Sequence, residues 1–477
     1  MKYQTSLDFE PPKNESPKDR DYAGFEKRAR EIGDIVLGMN NPVIVHHYDC
    51  DGLSSGAIVC LARKLVGKQY SNIILKKIGE EEIDSLPKSE EYVFVDLGCG
   101  YADKLREKLG GKIAIIDHHP PVEADVEQIN AHYHGFDGGT AVSAASTAAY
   151  CFKHLGDARI YQLGIVGAVG DMQDSEGGFK DLNKKLVEEA ASKGFVEVRK
   201  DLRLFGKMSR PLTQFLSYCT EPILPGLTGK SKNCAVFLEN NSIQVKQGNA
   251  YIAYYDLNDS EKKRFISALV NYALQKKVPE KAVKEMIGDI YLFPFEETRV
   301  MKEAYEFSTL LNACGRHDQG DLGVSVCLGE KEKISDAEKL LLEHRKEISI
   351  GINYAQENFM DFGEFYFFDG RGKISDTVIG SIAGAFLGSG IVEASKPIIA
   401  FSLDDKGKTK VSSRGNKTLV EKGLDLGQVM KTAGLIVNGV GGGHKPAAGC
   451  TFDTSKENDE KFLLKAKEVL KTQLFSN

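Results

Sequence analysis

The chain has 477 residues, about three times the usual domain length, so two or three domains with substantial cores are expected and a peptide-scale or disulfide-stapled scaffold is excluded. Hydrophobic residues make up 42% and charged ones 27%, with 48 Gly and 14 Pro, a balance that excludes disordered and collagen-like chains. The 62 basic residues against 68 acidic ones leave a net charge of −6, so no bulk positive field advertises nucleic-acid binding, and such a grip would have to be a local basic groove. Nine scattered cysteines without a C-x-x-C pair suit a reducing interior, and a cytoplasmic location is expected. The polar amino terminus and the lack of any apolar run of about 18 residues predict neither a signal peptide nor a membrane span.

After a polar lead over residues 1–38, PVIVHHYDCDG is a strand-like apolar run ending in a polar cluster, and SSGAIVCLARKLVG behind it has helical character. NIILKKI, EYVFVDLG and KIAIIDHHP repeat the β-rich run, separated by charged stretches such as EEEIDSLPKSEE and YADKLREKLGG that suit short helices or loops. This alternation predicts an α/β domain over residues 39–195 with a buried parallel sheet, closed by the small-residue helices TAVSAASTAAYCFKHLG and DARIYQLGIVGAVGDM. An inserted α+β middle module follows over residues 196–345, with NCAVFLENNSIQVKQGNAYIAYYDL expected as a small meander. The charged run ISDAEKLLLEHRKEISIGINYAQENF has the periodicity of one long linking helix. A smaller α/β unit over residues 346–477 then contains FYFFDG, the helix VIGSIAGAFLGSG, the strands PIIAFSL and TKVSSRG, and a glycine-rich turn, GVGGGHKPAAG.

The strongest chemical signal is positional. His47, Asp49 and Asp51 in H-x-D-x-D-G, Asp96 in VFVDLG, Asp117, His118 and His119 in IIDHH, and Asp171 in GAVGDM each follow an apolar run or a small-residue helix. In an open parallel sheet the crevice beyond the carboxyl ends of the strands binds ligands, so these clusters are expected to face one another across it. Mixed Asp and His ligation suits two divalent cations, manganese or magnesium, which commonly drive hydrolysis of phosphate esters. An Asp at a strand end can also simply cap the helix that follows, and Ser54 and Ser55 are expected as helix caps rather than nucleophiles. Structural zinc, which needs paired Cys and His at short spacing, is not expected.

In the last unit, GVGGGHKPAAG offers successive backbone N–H groups with no Cβ in the way, and Arg414 after the strand KVSSR could fork onto a phosphate. LLNACGR carries Asn312 and Arg316, with a helix C-cap at Gly315 as its plain structural reading. The four motifs in this order with a distal GGGH resemble the DHH phosphoesterase superfamily, and within it the RecJ-like single-strand exonucleases, across about residues 40–175 and 362–455. The resemblance implies a DHH domain, a DHH-associated substrate-binding domain, and a catalytic set of Asp96, Asp117, His118 and His119. By the same resemblance Asp96 bridges two cations, with His47 and Asp49 on one and Asp51, His118 and Asp171 on the other. Asp117 and His119 then lie behind the ligands, with His119 orienting the phosphate or protonating the leaving group, and Arg316, Arg414, Gly442, Gly443 and His444 facing the substrate. Bacterial RecJ proteins usually carry an acidic residue where His47 stands, and they continue into an OB-type domain where this chain ends soon after the GGGH segment. The two-ended layout is more similar to archaeal RecJ-like proteins that associate with the GINS replication complex.

The expected function is therefore a manganese- or magnesium-dependent exonuclease acting on single-stranded DNA, and on RNA as a second candidate, from the 5′ end with release of mononucleotides, in replication or repair. Two alternatives stand beside it. One is an oligoribonucleotide or cyclic-dinucleotide phosphodiesterase, which shares the motifs. The other is a non-catalytic replication scaffold associated with GINS and the replicative helicase, as in the eukaryotic relative that kept the fold and lost ligands. The QTSLDFE run near the start resembles a sliding-clamp peptide only in part, lacking the paired aromatics, and is expected to be a disordered lead.

Overall fold

The computed structural model describes residues 20–175, 177–220, 222–388 and 392–474; the QTSLDFE run lies outside them. The chain divides into two units, residues 1–195 and 196–477. Among the described residues no helix is long and apolar enough to cross a membrane.

The first unit opens with helix α1 (Tyr22–Gly38), capped by the Asp21 side chain, which accepts from the Gly24 N–H at 2.8 Å. It buries Phe25, Ala29, Ile32 and Val36, spaced three and four apart, so the end of the stretch read as a polar lead is an amphipathic helix. In chain order follow β1 (Val43–His47), α2 (Cys50–Leu65), β2 (Ser71–Leu75), α3 (Glu80–Ser85), β3 (Glu91–Val95), α4 (Ala102–Leu109), β4 (Lys112–Ile116), β5 (Glu127–Ile129), α5 (Ala144–Phe152), α6 (Ala158–Gly170) and α7 (Asp181–Ser192). The five strands form one sheet in the order β2-β1-β3-β4-β5, every neighbouring pair parallel, as the strand-helix alternation predicts. Strand alternation supplies two cores: Val43, Val45, Tyr92, Phe94, Ile113 and Ile115 pack with Ile83 of α3 and with Ala102 and Leu105 of α4. Ile44, Val93 and Ala114 are fully buried on the other face, where α2 and α5 meet the sheet. The strand order reverses at β1, whose neighbours are β2 and β3, and such a reversal opens a crevice at the carboxyl ends of the two strands that flank it.

The second unit runs through β6 (Glu197–Leu202), α8 (Leu212–Ser217), α9 (Ser231–Asn240), β7 (Lys246–Gln247), β8 (Ala250–Tyr251), α10 (Asp259–Gln275), α11 (Glu280–Glu285) and β9 (Ile287–Leu292). The expected meander is corrected here: NCAVFLEN is helix α9, because its buried Cys234, Phe237 and Leu238 fall at helical spacing, and only the segment around Gly248, at φ 61°, makes a hairpin, β7 with β8. Phe215, Leu216, Tyr254, Phe265 and Leu269 centre the core of this part. Three helices follow, α12 (Ala304–Arg316), α13 (Gly320–Cys327) and α14 (Lys331–Asn358), the last being the long linking helix the periodicity predicts.

The final part contains β10 (Met360–Asp361), β11 (Tyr366–Asp369), α15 (Ile379–Gly388), β12 (Ile398–Leu403), β13 (Thr409–Arg414), α16 (Lys417–Glu421), α17 (Leu426–Ile436), β14 (Val440–Gly443), β15 (Ala447–Phe452) and α18 (Lys456–Leu474). Its six strands form a mixed sheet, β10-β11-β12-β13-β15-β14, with only β11 and β12 parallel. Ile398 and Ala400 point toward α14 and α15, whereas Ile399 and Phe401 point toward α17 and α18. The glycine-rich segment is not a simple turn: Val440–Gly443 is an edge strand, and the turn itself is His444 to Ala447, whose backbones exchange hydrogen bonds of 2.9 and 3.2 Å.

Candidate metal centre

The carboxyl ends of β1, β3 and β4 and the end of α6 bring together the residues singled out in the first unit. Asp49 is the N-cap of α2: its Oδ1 accepts from the Gly52 N–H at 3.0 Å, while Oδ2 stands 3.1 Å from His47 Nδ1. The capping reading and the ligand reading thus use different oxygens of one carboxylate. Gly52 is required, since a Cβ there would lie 2.4 Å from the His47 carbonyl oxygen. Asp96 follows β3 with φ 59°, a left-handed conformation that Asp tolerates better than most residues, and its N–H donates to Ile116 O at 3.0 Å. Its Oδ2 is 3.4 Å from His47 Nδ1, and its Oδ1 is 3.3 Å from His118 Nε2 and 4.0 Å from His119 Nδ1. Although buried, that Oδ1 accepts no properly directed hydrogen bond.

Asp51 lies in the first turn of α2 and reaches across to the start of α5, accepting from the N–H groups of Ala144 at 2.7 Å and Ala145 at 2.9 Å. Its Oδ2 is 3.8 Å from His118 Nε2, and Asp171 Oδ2 is 3.9 Å from His118 Nδ1. The close crossing of α2, α5 and α6 depends on Gly167, where a Cβ would sit 2.5 Å from Asp51 Oδ1 and 2.3 Å from Ala145 Cβ. Asp117 accepts from the backbone N–H groups of His118, His119 and Cys99 and faces His119 Nδ1 at 2.8 Å, so it fixes the loop and one ring behind the cluster. Ligand atoms of His47, Asp49 and Asp96, of Asp51, His118 and Asp171, and of Asp96, Asp117, His118 and His119 come within 4.8 Å of one another in three overlapping groups able to hold a cation.

The electrostatics fit that donor set. Burial, and then the charge of Asp96, raise the Asp51 pKa well above the ordinary carboxylate value. Asp171 is pushed up to about 6, mainly by burial, with His118 pulling the other way. Burial opposes a charged His47, yet the Asp49 and Asp96 carboxylates override it and push that ring up to about 11. Burial likewise opposes a charged His118, which the carboxylates of Asp96, Asp171 and Asp51 outweigh. The hydrogen bond to Asp117 raises His119 despite its burial, and the same contact, against burial, keeps Asp117 below the usual carboxylate range. Without cations, protons are the only charges available to balance this many buried carboxylates; divalent cations would do the same and would satisfy Asp96 Oδ1.

Several supporting residues escaped the sequence reading. Gln173 Nε2 donates to Asp171 Oδ2 at 2.7 Å and to Gly138 O at 2.8 Å, while its Oε1 accepts from Asn183 Nδ2 at 2.6 Å. Gly138 O also faces His118 Nδ1 at 2.8 Å, and a Cβ on Gly138 would collide with His118 O. Gln173, two positions after Asp171, was open to notice; Gly138 and Asn183 carry no pattern of their own. His46 is fully buried between β1 and α2 against Gly56. Ser54 and Ser55 are not the expected caps, because α2 starts at Cys50 and both lie inside it, fully buried, with Ser55 Oγ donating to Gly52 O.

In the second unit, Arg316 and Arg414 converge on α15. Arg316 Nη1 donates to Ser381 Oγ at 2.6 Å, and Arg414 lies so close to Gly380 that a Cβ there would come within 2.4 Å of its Nη2. Gly315 is not a C-cap; α12 continues to Arg316 and His317 caps it. Arg414 pairs in register with Ala447, which closes the turn after His444, so Arg414, Gly443 and His444 share one end of the sheet. Gly443, at φ 135° and packed on Ala448, is demanded by the backbone. Gly442 is not, since a side chain there would meet open space.

Residues 204–287 match the DHH-CID domain family and residues 368–472 the DHHA1 domain family. An uncharacterized protein of Methanocaldococcus jannaschii is 29% identical over 463 residues, covering 94% of this chain and 98% of its own. Among solved structures, CDC45 from Entamoeba histolytica is similar at a TM-score of 0.64 with 15% identity, covering 94% of this chain and 98% of that one. RecJ from Thermus thermophilus in complex with Mn2+ is similar at 0.56 with 14% identity, covering 96% of this chain, which spans 56% of that RecJ. An exonuclease RecJ bound to manganese gives 0.56 with 14% identity and 96% coverage of both chains. The chain therefore shares the fold of these RecJ and CDC45 structures and contains segments that match the DHH-CID and DHHA1 domain families.

Proposed function

We propose that the protein is a metal-dependent exonuclease that hydrolyses phosphodiester bonds of single-stranded DNA, with RNA as the second substrate to test, from the 5′ end and with release of mononucleotides. The observation that carries this reading is the buried Asp96 carboxylate, flanked by His47 and Asp49 on one side and by Asp51, His118 and Asp171 on the other, with one oxygen unsatisfied. In this reading Asp96 and the flanking residues would hold two divalent cations, manganese being favoured and magnesium the alternative. Bound divalent cations would polarise the scissile phosphate and lower the pKa of the attacking water.

The chain's own residues do the rest. Asp117 takes the Nδ1–H of His119 and keeps that ring charged over a wider pH range, which leaves Nε2 as the proton source for the leaving oxygen. No side-chain nucleophile is needed. Arg316 and Arg414, brought to one helix, supply guanidiniums for the strand's phosphates, and the exposed Gly442, Gly443 and His444 add backbone N–H groups and a ring.

The second reading, a replication scaffold working with GINS and the replicative helicase, draws support from the end-to-end likeness to CDC45. A time course with manganese separates the two, using single strands of DNA and RNA labelled at each end and comparing wild type with Asp96→Ala. Mononucleotide release from one end, reduced on the order of a thousandfold or more in the variant, is the expected outcome. Equal silence of both proteins would favour the scaffold, and cleavage confined to very short oligonucleotides would favour a phosphodiesterase of smaller reach.

A further inference from the structure

The second unit contains a separate group of metal-ligating side chains that the proposed exonuclease chemistry does not use. His317 caps the end of α12, and His344 and Glu347 stand three positions apart on α14, where helical geometry places them on one face. His317 Nε2 lies 3.1 Å from His344 Nδ1 and 3.7 Å from Glu347 Oε2, and the three ligand atoms all fall within 4.8 Å of one another. The two rings are perpendicular, at 89°.

A hydrogen bond between the two imidazoles accounts for the first distance and leaves the carboxylate unexplained. His317 Nε2 has one hydrogen or one lone pair, yet it is approached by both the other ring and Glu347. A cation between them serves all three. With metal–nitrogen bonds of about 2.0–2.1 Å, tetrahedral ligands stand about 3.4 Å apart, between the two distances observed. Of the neighbouring guanidiniums, Arg316 is held by Ser381, its Nη1 donating to Oγ at 2.6 Å. His344 is 2% exposed, whereas the Glu347 side chain is 45% exposed, so the group has a fixed inner wall and a solvent side from which a fourth ligand, water, can enter.

We propose that His317, His344 and Glu347 bind one divalent transition cation of the zinc class, clamping the end of α12 to α14. Two imidazoles and one carboxylate favour zinc over manganese or magnesium, in contrast to the carboxylate-rich cluster of the first unit. The clamp would hold the backbone at Arg316, immediately before His317.

The test uses the full chain, stripped with a chelator, reloaded with zinc, dialysed and assayed for bound zinc by mass spectrometry. Wild type should hold one more equivalent than Glu347→Gln or His344→Gln, and Asp96→Asn should keep that equivalent. Zinc should also raise the melting temperature of Asp96→Asn but not that of the Asp96→Asn/Glu347→Gln double variant. Glu347 is half-exposed, so its substitution leaves the fold intact even where that of buried His344 does not. Equal zinc content in wild type and Glu347→Gln would overturn the assignment and leave a hydrogen-bonded histidine pair.

Discussion

The two large sheets of this protein solve the problem of assembling a polar site in different ways. In the first unit all strands run parallel, so every carboxyl end falls on one side, and residues as distant in sequence as His47, Asp96 and His118 meet without further help. In the DHHA1 domain the sheet is mixed, and strand ends alternate in direction. Arg414 of that sheet and Arg316 of α12 are brought together by a helix, α15, whose small residues Gly380 and Ser381 let both guanidiniums approach. The parallel sheet here gathers acidic side chains at one edge, whereas the mixed sheet spreads its strand ends and a helix gathers positive charge.

Removing a carboxylate from the parallel-sheet site should have the largest effect, and which one is removed should matter for stability. Asp51→Ala is expected to lose hydrolysis on the order of a thousandfold and also about 1–3 kcal/mol of stability, because the N–H groups of Ala144 and Ala145 lose their acceptor. Asp96→Asn should lose activity equally while the cation-free protein melts no lower than wild type, since the change removes a buried charge with an unsatisfied oxygen and keeps a side chain that tolerates the left-handed backbone. Melting curves in chelator decide between these outcomes; equal destabilisation by both would contradict the difference drawn here.

In the second unit, Arg316→Ala and Arg414→Ala should each raise KM for single strands by about ten- to a hundredfold, equivalent to ~1.5–3 kcal/mol, without changing manganese affinity. Steady-state kinetics beside manganese titrations test this, and weakened manganese binding in either variant would erase the contrast between the two sheets. Gln173→Ala is expected to weaken manganese binding by about tenfold, through loss of the bond that orients Asp171, with the substrate KM little changed at saturating metal.

The smallest effect is a slope with pH. In the cation-free cluster Asp171 keeps its proton up to about 6, while His47, pushed up to about 11, and His118, raised well above the ordinary imidazole value, keep theirs beyond that, so a cation must displace the Asp171 proton as well below pH 6 but not above it. Manganese affinity should therefore rise with pH throughout, and more steeply below about pH 6 than above it. Calorimetric titrations in buffers of different ionisation heat count the released protons, and a flat profile would remove these residues from the ligand set.

Much of the first unit was legible from residues alone. Short, nearly continuous apolar runs, each followed by a polar cluster, are enough to predict a buried parallel sheet, and that sheet's topology brings the clusters to one crevice. The double use of Asp49 was not legible, because capping and ligand reach use different oxygens of one side chain and only coordinates separate them. NCAVFLEN misled because its turn-like N-N ending outweighed the helical spacing of Cys234, Phe237 and Leu238. His317, His344 and Glu347 carry no short-spacing signal, because they come from two helices and meet only through their packing.

The sequence by itself determined the fold class, the parallel sheet and the acidic and histidine clusters, because periodicity and residue chemistry are local properties that need no partner to be read. Only the tertiary structure decided that Asp51 reaches the start of α5, that Gln173 holds Asp171, that α15 gathers Arg316 and Arg414, and that α12 and α14 bring His317 to His344. These are contacts between residues far apart in the chain, set by how helices pack on sheets and on one another, and no local pattern encodes them.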